Sequence, residues 1–229
     1  MQDGILEWAP QAPDTEALRR GLHLDEDSEP EDLETLDRMI RECTAAARPK
    51  ALFRVTPVTA RGADWVELDG VRVESALAAQ KLPEVCAAYI ATCGAEAGAW
   101  AAQYRGDPLL QFWAEELLLV FLRQASAGLH EVLKKEVFGG RDYASLNPGS
   151  LKEWPITGQR PLFALLGAGE DGVVPGLGVR LTRECLMLPA KSVSGLAFLS
   201  EAGFVNCAYC PRVSCPNRRA PYGGTSPLS

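Results

Sequence analysis

The chain has 229 residues, 47% apolar and 23% charged, a globular composition with room for one large domain or two small ones. Its net charge of −7 makes it a poor nucleic-acid binder, and no apolar run approaches the roughly 20 residues a membrane helix needs. The opening MQDGILEWAP lacks the basic and apolar regions of a signal peptide, so a cytoplasmic protein is expected, with neither nucleic acid nor membrane as partner.

Charge is unevenly spread. Residues 1–40 carry twelve Asp/Glu against three Arg, whereas after Glu201 there are no acids, only Arg212, Arg218 and Arg219. The chain therefore divides into an acidic segment (1–27), a main domain (28–200) and a Cys/Arg-rich tail (201–229). No folded structure is expected after Cys215.

Residues 28–47 place Leu33, Leu36, Met39, Ile40 and Cys43 on one face behind an acidic first turn, which predicts an amphipathic helix. ALFRVTPV (51–58) alternates like a strand, with Pro57 pointing to a sheet edge. WVELDGVRVE (65–74) reads as a hairpin turning at Asp69-Gly70, and EVCAAYIATCG (84–94) as a buried strand. From Ala95 to Phe138 the pattern is helical, interrupted at Gly106-Asp107-Pro108, where Asp107 caps a long second helix that ends in KKEVFGG. A loop, NPGSLKEWP, and a short helix, GQRPLFALLG, follow before two alternating runs, LGVRLTRECLMLP and KSVSGLAFLS, return to the sheet. Short strands around a helical middle predict an α+β fold with a mixed or antiparallel sheet.

Several chemical signatures fail on context. GAGEDG (167–172) matches a dinucleotide-binding pattern but follows a helix and precedes VVPGLG, so a surface turn is expected. His23 and His130, the only histidines, form no triad, and adjacent Glu115 and Glu116 point about 100° apart on a helix. No catalytic residue is assigned.

The cysteines carry more. Cys43, Cys86 and Cys93 lie in apolar or helical surroundings and read as small hydrophobes. In CAYCPRVSC, Cys207, Cys210 and Cys215 have spacings that let thiolates converge on one centre, and soft thiolates select an iron–sulfur cluster or zinc. Cys185, a bound molecule or a partner would supply a fourth ligand; the competing reading is three free thiols.

LNPGSLKEWPITGQRPLFALLG (146–167) and GVRLTRECLMLPAKSVSGLAF (178–198) resemble the activation domain of cobalamin-dependent methionine synthase. Pro148-Gly149 match that family's P-G-Y loop, and Leu181-Thr182, Met187, Pro189 and Ser192-Val193-Ser194-Gly195 match its closing motif. The resemblance implies a C-shaped α+β domain with a twisted, mainly antiparallel sheet. It also implies docking on a cobalamin-bearing synthase or related corrinoid protein, whose cob(II)alamin is reductively reactivated there. Pro148, Gly149 and Ser150, with Lys191, Ser192 and Ser194 on the facing strand, are the implied ligand-binding residues. Ser145 and Ser150 stand where the family has Arg and Tyr, which argues against S-adenosylmethionine binding because a carboxylate-gripping fork and a broad contact surface are both absent.

Three functions follow. The first is an accessory protein that docks on the methyltransferase and supplies an electron through a cluster on Cys207, Cys210 and Cys215. The second is a non-catalytic, zinc-stabilised adaptor for a corrinoid protein. The third is an S-adenosylmethionine-binding methyl-donor domain.

Overall fold

The structure is a computed structural model that describes residues 4–25, 28–200, 204–215 and 218–224. The fold is α+β, built on one antiparallel sheet of seven strands. In chain order these are β1 (Gly4–Glu7), β2 (Lys50–Arg61), β3 (Trp65–Leu68), β4 (Val71–Glu74), β5 (Val85–Thr92), β6 (Ala144–Leu146) and β9 (Ser192–Phe198). Spatially they run β4-β3-β2-β5-β9-β6, with β1 also paired to β2. A separate two-stranded ribbon joins β7 (Arg180–Leu181) to β8 (Met187–Leu188).

The central strand explains its own composition. β5 pairs with β2 along Lys50↔Thr92 to Pro57↔Val85 and with β9 along Ala87↔Ala197 to Thr92↔Ser192. Both faces are covered, so VCAAYIAT is buried almost throughout instead of alternating with polar residues. On one face Ala51, Phe53, Ala87, Ala91 and Ala197 pack against Ala125, Leu129 and Leu133. These last lie on and just beyond α5 (Pro108–Val132), and the run of alanines lets the helix sit close to the sheet. On the other face Ala88, Ile90, Leu146, Leu196 and Phe198 meet Trp154, Leu162 and Phe163, the last two on α6 (Gln159–Leu165).

α5 begins as its sequence requires. The Asp107 carboxylate accepts from the N–H groups of Leu109 and Leu110 at 2.9 and 3.0 Å, and Pro108 occupies the first turn. Beyond Phe138, Gly139 and Gly140 take the left-handed conformation. The N-terminal half of α5 packs Trp113, Leu117 and Phe121 against Leu36, Met39, Ile40 and Cys43 of α2 (Pro30–Ala46) and Ala97 and Ala101 of α4 (Ala95–Ala101).

Three local expectations change. Residues Gly4–Glu7 form a strand, and the next residue, Trp8, lies over Gly128 of α5, where any Cβ would strike its indole. α1 (Thr15–Gly21), capped by Asp14, and α3 (Ala76–Lys81), capped by Ser75, also form. Pro57 does not mark a sheet edge: β2 has partners on both sides. It sits where β2 leaves its pairing with β5 and begins pairing with β3, and its carbonyl accepts from the N–H of Asp69. The GAGEDG segment is a turn after α6, with Gly167 and Gly172 left-handed.

Candidate functional site

The loop carrying Pro148, Gly149 and Ser150 leaves the edge strand β6, which is registered to β9 through Ser145↔Ala197 and Leu146↔Leu196. Gly149, at φ 81°, donates its N–H to Trp154 O at 2.8 Å, and Ser150 N–H donates to Asn147 O at 3.1 Å. Asn147 pins this turn to the sheet. Its side-chain amide donates to the Tyr89 hydroxyl and to Ser194 O, both at 2.8 Å. Gly195 makes the convergence possible: a Cβ there would stand 2.5 Å from Leu146 O, 2.6 Å from the Asn147 amide nitrogen and 2.8 Å from the Tyr89 hydroxyl.

The neighbouring groups are polar and titratable. Burial pushes Tyr89 above the ordinary tyrosine range, opposed by hydrogen bonds from Asn147 and Ser145 and by the positive charge of Arg219. Tyr143, pushed up mainly by burial, lies with its hydroxyl 2.9 Å from His130 Nδ1. Ser145 therefore touches a tyrosine hydroxyl where the resemblance places an arginine.

The six expected ligand-binding residues do not form one cluster. Pro148, Gly149 and Ser150 meet Ser194 through Asn147, and the buried Ser194 hydroxyl has no hydrogen-bond partner among the described residues. Ser192 donates to Pro189 O at 2.8 Å and lies 2.9 Å from the Thr92 hydroxyl. Lys191 stands three residues along from Ser194, about 10 Å at the rise of a strand, and pairs with Glu115 of α5 at 2.9 Å.

Glu115 borders a second feature, a half-open cavity of about 420 Å³ between α4, the start of α5 and the β7–β8 ribbon. Its walls are small or apolar, including Ala95, Gly98, Ala99, Leu118 and Pro189. Its polar lining is Arg105, Gln111, Glu115 and Arg180.

The described part of the tail before Cys215 packs on the domain. Phe204 packs beside Phe198 and stacks on Tyr209 of the short helix α7 (Asn206–Tyr209), with ring centroids 5.3 Å apart. Tyr209 and Cys210 lie against the α6-side core. Arg218 gathers the loop: its guanidinium donates to the carbonyls of Cys207, Cys210, Arg212 and Ala220 at 2.5, 2.6, 2.9 and 2.9 Å. Arg218, one of the three arginines of the acid-free tail, is thus a tie within the Cys loop.

This geometry does not present a metal centre. Among the described residues no three His, Cys, Asp or Glu side chains group to hold a metal ion. Cys185, the fourth-ligand candidate, is buried in the turn between β7 and β8, where Arg160 Nε approaches its sulfur at 3.4 Å. As folded, Cys207, Cys210 and Cys215 do not gather as one set of three ligands, and the bonds from Arg218 go to loop carbonyls, leaving the thiols uncommitted.

No family model matches the sequence, and no curated protein matches it. Among solved structures, the crystal structure of the MetH reactivation domain bound to AdoHcy aligns with a TM-score of 0.61 at 19% identity, covering 89% of this chain and 80% of that one. The chain shares the fold of the MetH reactivation domain. The α+β class and antiparallel sheet implied by the P-G loop and the S-V-S-G motif are thus present. Among the described residues no helix is long and apolar enough to cross a membrane.

Sequence reasoning missed Tyr89, Asn147 and Arg218. Asn147 stands directly before the Pro-Gly turn, where an amide commonly holds a loop, and that signal was available. Tyr89 is one polar hydroxyl inside an otherwise apolar strand, a second signal. Nothing in the order of residues singles out Arg218 from Arg219.

Proposed function

We propose that this chain is an accessory module that docks on a cobalamin-bearing methionine synthase, or a related corrinoid methyltransferase, and supports reductive reactivation of its cob(II)alamin. The observation that carries the reading is the fold shared with the MetH reactivation domain over most of both chains. The Pro148-Gly149 turn, tied to β9 through Asn147, supports it at the level of the loop.

The neighbour was crystallised with AdoHcy. For this chain we place an S-adenosylmethionine-type ligand, if it binds, at Pro148, Gly149, Ser150, Ser192 and Ser194. Weak affinity is expected, because Ser145 and Ser150 offer neither a guanidinium fork nor an aromatic surface. Lys191, directly before β9, is committed to Glu115 instead.

Cys207, Cys210 and Cys215 remain proposed soft-metal ligands on their spacing alone, and binding requires the loop to rearrange around Arg218. No electron-transfer step is assigned to them. A metal and sulfide assay on protein purified without oxygen separates the outcomes: iron with sulfide supports a redox part, zinc the adaptor reading, and neither metal leaves free thiols.

The decisive experiment mixes the chain with a cobalamin-loaded methionine synthase that lacks a reactivation domain. Sedimentation should show a complex, and activity should return faster from the cob(II)alamin form when a reductant is present. Neither a complex at tens of micromolar nor any change in reactivation would sink the proposal.

A further inference from the structure

The cavity beside Glu115 has an unusual charge balance for so acidic a chain. Arg105 and Arg180 both line it, and neither makes an ion pair or a side-chain hydrogen bond among the described residues. Its single carboxylate, Glu115, is already paired with Lys191 at 2.9 Å. Two arginines against one glutamate give the lining a net of +1, and that glutamate is already paired with Lys191, although the whole chain carries −7. The remaining walls are chiefly alanine, glycine, leucine and proline, and nothing in them answers the positive charge.

The backbone is shaped to keep this space open on one side and tight on the other. Gly98 of α4 lies under Pro189, where a Cβ would come within 2.9 Å of the proline Cβ, so the helix can approach the β8–β9 turn only with glycine there. Gly178, in the left-handed region at φ 73°, turns the chain into β7, where Arg180 joins Arg105 of the α4–α5 connection in the cavity lining. The volume, about 420 Å³, lies in the range of small-molecule sites.

We propose that this cavity binds a phosphorylated, hydroxyl-bearing small molecule of about mononucleotide size. Arg105 and Arg180 contact the phosphate, because guanidinium forks match its paired oxygens and carry a charge that no carboxylate among the described residues pairs with. The Glu115 carboxylate, held by Lys191, accepts from sugar hydroxyls, and the Gln111 amide can donate or accept beside it. The flat alanine, glycine and proline wall takes the apolar face of a ring. No residue of the Pro148–Ser150 loop lines this cavity, so the site stands independently of the docking proposal.

The test is a backbone amide NMR titration of the intact chain with inorganic phosphate, ribose 5-phosphate, AMP and adenosine. The expected result is shifts confined to 95–118 and 178–191. AMP and ribose 5-phosphate should bind at least tenfold more tightly than inorganic phosphate, and adenosine should bind weakly. If AMP is the tightest, the site takes a nucleotide; if it equals ribose 5-phosphate, the site takes a sugar phosphate. Arg105→Ala and Arg180→Ala should each weaken AMP about tenfold while leaving the remaining spectrum folded. Adenosine binding as tightly as AMP, shifts elsewhere, no shifts with any probe, or arginine variants that bind AMP unchanged would each overturn the assignment.

Discussion

The Arg218 guanidinium donates to the carbonyl oxygen of Cys210 at 2.6 Å, across eight residues of tail. With its bonds to Cys207, Arg212 and Ala220 it closes a loop that composition alone would leave open. Hydrogen bonds from a charged donor are worth about 1.5–3 kcal/mol each, and here one side chain makes four. Arg218→Ala should therefore release the loop beyond Cys210 while leaving the sheet intact, since of this tail only Phe204, Tyr209 and Cys210 join a core cluster. Limited trypsin digestion should cut after Arg212 at least tenfold faster, with the main thermal transition nearly unmoved. Equal cutting rates in the variant and the parent would show that Arg218 does not hold the loop.

Gly195 offers a sharper test of the β6–β9 junction. A methyl group there would stand 2.5 Å from Leu146 O, a backbone atom that can move only if β6 moves. Gly195→Ala should cost about 3 kcal/mol, at the upper end of overpacking penalties, and lower the urea midpoint without changing the slope. An unchanged midpoint would mean that β6 is free to shift outward.

The amide of Asn147 is the link between the Pro-Gly turn and the core. Asn147→Ala strips the buried Tyr89 hydroxyl of a donor and leaves Ser194 O without the side-chain bond, at a cost of about 1–3 kcal/mol. Adding Tyr89→Phe should then cost less than it does in the parent, since the hydroxyl it removes has already lost its partner. Chemical denaturation of the four proteins in this cycle gives the coupling energy, and a value of zero would separate the two residues.

How much of this was readable in advance depends on whether the physics is local. The ends of α5 are local chemistry: Asp107-Pro108 starts it and a Gly-Gly pair follows it, and both do so in the fold. The hairpin at Asp69-Gly70 is local too, with both residues at positive φ. β1 was hidden because GILE is four residues long and gains strand character only by pairing with β2. Pro57 misled because a proline ends one ladder, and the sequence cannot show that another begins at the next residue. The candidate site splits for the same reason. Lys191, Ser192 and Ser194 are neighbours in sequence, yet Lys191 is drawn to Glu115, 76 positions away, and Ser194 to Asn147, 47 positions away. Arg218 finds carbonyls, which every residue carries, and no residue pattern marks such a tie.

The seven cysteines should separate into two classes. Cys43, Cys86, Cys93 and Cys185 are buried, whereas Cys207, Cys210 and Cys215 are partly exposed. Burial pushes Cys43, Cys86 and Cys93 from 9.0 up to about 12, with Glu115 adding to the rise at Cys93 and Lys191 opposing it. A native-state titration with a thiol reagent at pH 8 should count three fast thiols, and seven in denaturant. The same shifts set the alkaline limit of stability. The folded state holds these three protons more tightly than the unfolded chain does, so their contribution is fully present below pH 9 and is lost as the pH climbs towards about 12. Within that window each thiol removes about 1.4 kcal/mol per pH unit, so unfolding free energy should fall steeply. Between about pH 9 and 10, below the ordinary tyrosine range, replacing Cys86 by Ala should flatten the fall by about one third, because one of the three protons is gone. A stability that stays level from pH 9 to 11 would mean that these thiols ionise without opening the core.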